Sequence, residues 1–208
     1  MVDSNNITTF MRWPGSKWRI ADWIIAHFPD HGVYCEPFFG SGAVFFRKFP
    51  SGTETINDID GDIVNLFRVI RDVADMLCKK VEMTPYSRDE YEASSADCDN
   101  AVERARRFLV WIWQGYGGKT YCNASWSHSW VNGVFRPKYW CEVSDKIMTV
   151  VSRLKIMITN SYHAGSFNLF KERTSNFITA FLRGETSCIP TGVTCFFSVR
   201  LKDYKKER

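Results

Sequence analysis

Glu36-Pro37-Phe38-Phe39-Gly40-Ser41-Gly42 is the stretch that decides the fold. A short apolar run over residues 33–36 leads into it and ends in the acid Glu36. A helical stretch over residues 43–48 leads out of it. Strand, glycine turn and helix therefore follow one another. Two glycines one residue apart place bare backbone beside anything bound at the strand's end. A second strand candidate, residues 53–57, ends at Asp58, 22 positions after Glu36. An acid at the end of the next strand can accept hydrogen bonds from ribose hydroxyls.

The turn lacks the third glycine of the dinucleotide fingerprint, and bulky Val44 and Phe45 follow instead. That disfavours a pyrophosphate cradle. A nucleoside cofactor without phosphates fits better, and S-adenosylmethionine is the common one. The same residues also read as an ordinary glycine turn between a strand and a helix.

Upstream, residues 17–28 carry apolar side chains at helical spacing, and Pro29 stops them. Arg12-Trp13-Pro14-Gly15-Ser16-Lys17 stands directly before that helix. Downstream, a long helical pattern covers residues 60–83, with Ile63, Leu66, Phe67, Ile70, Val73, Leu77 and Val81 on one side. Alternating strand and helix implies a parallel, Rossmann-type sheet.

The texture changes near Pro85. Residues 85–140 hold one strong helix, 101–113, and then a loop-rich stretch full of Gly, Ser, Asn and Trp. This reads as an inserted, mainly helical lobe with a long loop. The βα rhythm resumes with a helix over 143–153 and a strand over 155–160. Beyond residue 160 no clean period survives.

Taken together, RWPGSK, EPFFGSGAVFF and INDID resemble the Dam-like adenine-specific DNA methyltransferase family, in order and spacing, over residues 10–160. The resemblance implies an α/β, Rossmann-like S-adenosylmethionine-dependent methyltransferase fold with an inserted target-recognition lobe. It implies a cofactor site made of Trp13, Gly15 and Lys17, the turn residues Glu36, Pro37, Phe38, Gly40, Ser41 and Gly42, and the ribose-binding Asp58. It implies double-stranded DNA as partner, met by Lys119, Tyr121, Trp126, Arg136 and Lys138. Arg104, Arg106 and Arg107 on the lobe's helix, with Tyr116 and Trp130 on the loop, belong to the same basic and aromatic set. Basic groups pair with phosphates, and rings stack on bases or wedge into a duplex.

The division that follows is 1–84 and 141–160 for the methyltransferase domain and 85–140 for the recognition lobe. Residues 161–208 are left as a divergent or frame-shifted tail. The family's catalytic Asp-Pro-Pro-Tyr is missing, because no two of the seven prolines are adjacent. No catalytic residue is therefore assigned. The expectation is a shortened, catalytically impaired chain with an incomplete sheet, no further strands after residue 160, and an open sheet edge.

Composition agrees with an ordinary globular chain: 208 residues, 45% apolar and 24% charged. It is long enough to bury a core without staples. The net charge of +4 lies mostly in residues 200–208, where five Lys/Arg and two Asp/Glu give +3 and leave +1 elsewhere. Global charge is thus weak support for a nucleic-acid partner. The seven cysteines form no C-x-x-C pair, so neither a disulfide framework nor a zinc site is expected. No apolar run approaches a membrane span, and the N-terminus does not read as a secretory signal, which makes the cytoplasm the default. Three readings stay open: an adenine methyltransferase, an inactive cofactor- or DNA-binding remnant, and a methyltransferase acting on RNA or small molecules.

Overall fold

The computed structural model describes residues 7, 9–36, 38–58, 60–116, 125–128, 130–131, 134–156 and 193–195. Its centre is a small parallel sheet. β1 (Val33–Glu36) lies between β2 (Thr53–Ile56) and β5 (Val193–Cys195). The register runs Val33↔Thr53 to Glu36↔Ile56 on one side. On the other side Val33, Tyr34 and Cys35 face Val193, Thr194 and Cys195.

β5 corrects the expectation that no strand follows residue 160 and that the sheet edge there is open. Its source, Gly192-Val193-Thr194-Cys195, is a short β-branched run just after Pro190. A strand of three residues is too short to show an alternation. The absence of a period was therefore a poor argument against a strand.

Helices cover the sheet. α1 (Ala21–Ala26) starts later than residue 17, because residues 18–20 form a turn in which the Ile20 N–H bonds the Lys17 carbonyl at 3.0 Å. α2 is Ala43–Arg47 and α3 is Gly61–Glu82. Asp60 caps α3 by accepting from the Asp62 N–H at 2.9 Å, as a short acidic side chain does at a helix start. The α3 stripe of Ile63, Leu66, Phe67, Ile70, Leu77 and Val81 is buried as its spacing requires. Val73, expected in the same stripe, is 38% exposed, because the helix kinks there, with φ −144° and ψ 43°.

α4 (Arg88–Ala93) was not anticipated. Ser87 caps it, accepting from the Glu90 N–H at 3.2 Å. Ser87-x-x-Glu90 is a capping-box sequence, so the signal was present. α5 (Ala101–Gln114) matches its pattern. A two-stranded antiparallel pair, β3 (Trp130–Val131) and β4 (Val134–Phe135), brackets Asn132-Gly133, a strong hairpin dipeptide. α6 (Arg136–Cys141) follows. α7 (Val143–Ile156) runs through Lys155 and Ile156, which were expected to open a strand. The remainder of that expected strand lies outside the described residues.

α5 and α7 both pack on α3, so residues on either side of Pro85 share one core. Phe10, Phe39, Phe45, Phe46, Phe67, Leu109, Ile112 and Ile147 are among its members. Phe39 stands edge-on to Phe67 at 4.8 Å and to Phe45 at 5.5 Å. Much of the aromatic excess is therefore core. Each such ring contributes about 1.5–3 kcal/mol by burial. Beneath α2 lies a buried ion cluster. Glu54 receives Lys48 Nζ at 2.5 Å and both terminal nitrogens of Arg153 at 2.5 and 2.8 Å.

Candidate functional site

The site forms at the carboxyl end of β1. There the pairing with the segment after β2 continues past the strands. Asn57 N–H donates to the Glu36 carbonyl at 2.9 Å, and Phe39 N–H donates to the Asn57 carbonyl at 2.8 Å. Asp58 then closes on the turn. Its Oδ2 accepts from Gly40 N–H at 2.7 Å, and its Oδ1 from Asp60 N–H at 3.0 Å. The acid expected to meet a ribose thus also holds the glycine turn in place.

Gly40 has φ +51°, and a Cβ built there would lie 2.9 Å from Trp13 Cδ1. Only glycine lets the indole lie on this backbone. Gly42 has φ +65° and is wedged against Phe39 and Phe46. Trp13 packs onward to Phe108, with ring centroids 6.1 Å apart. The Ser16 and Ser41 hydroxyls lie 2.8 Å apart and tie the N-terminal loop to the turn. Ser41 was expected at the site; Ser16 was not, although it stands inside the quoted RWPGSK.

Lys17 folds back on its own loop, donating to the Gly15 carbonyl at 2.6 Å. Burial lowers the pKa of its ammonium. Phe38 is exposed beside the turn. Glu36 is only 2% exposed and accepts from the Tyr34 hydroxyl at 2.9 Å. Burial pushes its carboxyl up to about 8, against the opposing hydrogen bond from Tyr34. Pro37 lies outside the described residues. The structure therefore gathers Trp13, Gly15, Lys17, Glu36, Phe38, Gly40, Ser41, Gly42 and Asp58 around one strand end.

The arrangement offers bare backbone at Gly40, a flat indole against it and a carboxylate at its side. Those features fit a nucleoside-bearing cofactor, and a methyl side chain at Gly40 would push the Trp13 indole off the turn. In open α/β sheets ligands bind outside the carboxyl ends of the strands.

The residues expected on DNA are less uniform. Lys119 and Tyr121 lie outside the described residues. Lys138 is exposed on α6. Trp126 is half-buried, 5.9 Å from the Tyr86 ring and 5.1 Å from His128. Arg136 is buried, 7% exposed, and donates to the Gly115 carbonyl at 3.2 Å. Sequence reasoning saw Arg136 as a surface cation; a guanidinium stem packing under a loop gives no such signal.

Arg104 pairs with Asp62 at 2.6 Å, Arg106 with Glu90 at 2.8 Å and Glu103 at 2.7 Å, and Arg107 with Glu103 at 3.1 Å. The three cations of α5 are therefore spent within the chain. Arg12, passed over in the sequence, stacks 5.2 Å from the Trp113 ring and 5.4 Å from that of Tyr139.

An α/β protein with a glycine turn at the carboxyl end of a parallel strand is the class these observations define. A family model described as D12 class N6 adenine-specific DNA methyltransferase matches residues 13–178. The chain belongs to that family. The match continues to residue 178, past residue 160, where the motif resemblance stopped.

Curated relatives agree. A type II methyltransferase of Lactococcus lactis subsp. cremoris is 29% identical over 125 residues, 54% of this chain and 43% of that protein. A DNA adenine methylase of Haemophilus influenzae is 27% identical over 146 residues, 64% of this chain and 49% of that protein. A type II methyltransferase of Methanocaldococcus jannaschii is 27% identical over 128 residues, 50% of this chain and 44% of that protein. The chain thus spans about half the length, or less, of these relatives. The family implies a methyl donor and a DNA substrate. No described helix is long and apolar enough to cross a membrane.

Proposed function

We propose that the chain carries the cofactor-binding part of a site-specific DNA methyltransferase, which transfers a methyl group from S-adenosylmethionine to the exocyclic amine of adenine in double-stranded DNA in the cytoplasm. The observation that carries this reading is the Gly40 turn, with Trp13 against its backbone and Asp58 bonded to its N–H at 2.7 Å. When bound there, S-adenosylmethionine supplies an activated methyl group. Asp58 accepts from the ribose hydroxyls while it keeps the turn in register. Trp13 covers the turn and excludes water. Glu36, Phe38, Ser41 and Gly42, with Gly15 and Lys17 of the N-terminal loop, complete the wall. Pro37 belongs to the same motif. Positioning of this kind, rather than covalent chemistry, carries most of the rate in a direct transfer. Residues 85–140 take the DNA, and Lys119, Tyr121, Trp126 and Lys138 are the residues that would meet it. The target adenine leaves the stack to be reached.

A second reading is binding without transfer. What favours it is the absence of any Pro-Pro pair in the sequence, and so of the Asp-Pro-Pro-Tyr that accepts the amine hydrogens in this family. One assay separates the two. The chain is incubated with duplex DNA and methyl-labelled cofactor. Label on adenine supports transfer. Calorimetric cofactor binding with no label supports the second reading. No cofactor binding sinks the first, and no binding of either cofactor or duplex sinks both.

A further inference from the structure

We infer that Arg12 and Arg136, set among Trp113, Tyr116 and Tyr139, form a site for a phosphate oxyanion, and that the oxyanion is a DNA phosphodiester. The choice of DNA as its source rests on the methyltransferase reading above.

The argument starts from how this chain treats its other arginines. Arg47 faces Asp22, Arg71 faces Asp72, Arg104 faces Asp62, Arg106 and Arg107 face Glu103, and Arg153 faces Glu54. Arg19, Arg68 and Arg88 have no ion pair among the described residues, but they are exposed and water solvates them. Among the described residues, neither Arg12 nor Arg136 has an ion pair. Both are nonetheless withdrawn from water, Arg12 partly and Arg136 almost wholly. Arg136 donates one terminal nitrogen to the Gly115 carbonyl, and its buried Nε has no partner. Trp113, 5% exposed, has an unpartnered indole N–H as well. Unpaired buried charge and unmade buried hydrogen bonds are both costly.

What surrounds these groups is aromatic. Arg12 lies 5.2 Å from the Trp113 ring and 5.4 Å from Tyr139, and Arg136 lies 5.8 Å from Tyr116. Rings orient a guanidinium without neutralising it. The two cations also oppose each other. The guanidinium of Arg12 is held below its ordinary pKa first by burial and then by the charge of Arg136.

The surplus here is therefore positive charge and N–H donors. The missing partner is an anion that only accepts. A phosphodiester presents two non-bridging oxygens with several lone pairs, which two guanidinium groups can share as Arg106 and Arg107 share Glu103. In a DNA-methylating chain it is the anion that the substrate itself brings. The location also suits a substrate rather than a stray ion. Arg12 immediately precedes Trp13, whose indole lies on the Gly40 backbone. A phosphate held by Arg12 would sit next to the cofactor wall and against α5 and α6 together.

The test is duplex binding by fluorescence anisotropy across a salt series, on duplexes of unrelated sequence, for the wild type, Arg12→Gln and Arg136→Gln. Each variant is expected to weaken all duplexes alike and to lower the log–log salt slope by about 1. Cofactor affinity by calorimetry is expected to stay unchanged in Arg136→Gln. Arg136 is buried, so circular dichroism checks its fold; Arg12→Gln, at a half-buried position, carries the test if that variant unfolds. Inorganic phosphate, followed through tryptophan fluorescence, should compete with DNA in the wild type. An unchanged slope overturns the inference. Loss confined to particular sequences overturns it too, because it marks a base contact. Phosphate bound through both arginines with no change in the DNA slope overturns DNA as the source. A wild-type chain that binds no duplex overturns it outright. No label on adenine would sink methyl transfer without touching the salt slope, which is measured without turnover.

Discussion

The glycine turn and the Arg12–Arg136 face handle polar groups in opposite ways. At the turn the chain supplies its own partners: Gly40 N–H meets Asp58, Phe39 N–H meets Asn57, and Ser16 meets Ser41. At the arginine face it supplies rings and leaves donors open. The first region is organised before any ligand arrives, so binding there orders little. The second region gains its last partners from the ligand. The contrast teaches that internal satisfaction marks a preset cradle and that orphaned donors mark a place to be filled.

The largest effect should come from the support beneath the turn. Glu54→Ala leaves Lys48 and Arg153 as buried cations without their shared carboxylate. A loss of about 3–5 kcal/mol in urea unfolding is expected. A loss under about 1 kcal/mol would mean that the cluster is wet and the turn is held by other contacts.

Asp58→Ala comes next. It removes the acceptor for Gly40 N–H and the proposed ribose acceptor together. Cofactor binding by calorimetry should weaken by about 1.5–3 kcal/mol. Unaltered affinity would break the picture of a preset turn.

Glu36 sharpens the comparison through pH. Its carboxyl sits at about 8 in the fold, against an ordinary value of 4.5. Between those values the unfolded chain has lost the proton that the folded chain keeps. Stability should therefore fall as pH rises through that window. Glu36→Gln keeps an acceptor for Tyr34 and removes the titration. Its denaturation midpoint should vary less over the window than that of the wild type, and equal slopes would refute the assignment.

The smallest change is expected for Arg104→Gln. That ion pair with Asp62 is exposed on both sides, so thermal unfolding should register no more than about 1 kcal/mol. DNA affinity should barely move, in contrast to Arg12.

Local signals explain most of what the sequence foretold. β1, β2, α2, α3 and α5 were legible because apolar spacing and glycine spacing are short-range properties of the chain. The glycine turn at the end of β1 was legible for the same reason. α4 and the β3–β4 pair had readable signals, in Ser87-x-x-Glu90 and Asn132-Gly133, that a search for long periods passes over. β5 was missed because a three-residue strand is too short to show a periodicity of its own. Arg12 was missed for a different reason. Its partners Trp113 and Tyr139 lie about a hundred residues away, and only packing brings them together.

The placement of β5 bears on how the chain acquires its shape. β1 meets β2 across a connection of some twenty residues, but Val33 meets Val193 across 160. Closing a longer loop costs more entropy before any contact repays it, and folding slows as contacts become more distant in sequence. The β1–β2 unit with α2 and α3 can gather first, while a ribosome is still making the remainder. Until residue 195 emerges, one side of β1 has no strand to pair with. A nascent chain stalled before that point should show the first pairing without the second, and should be more open to proteases along β1.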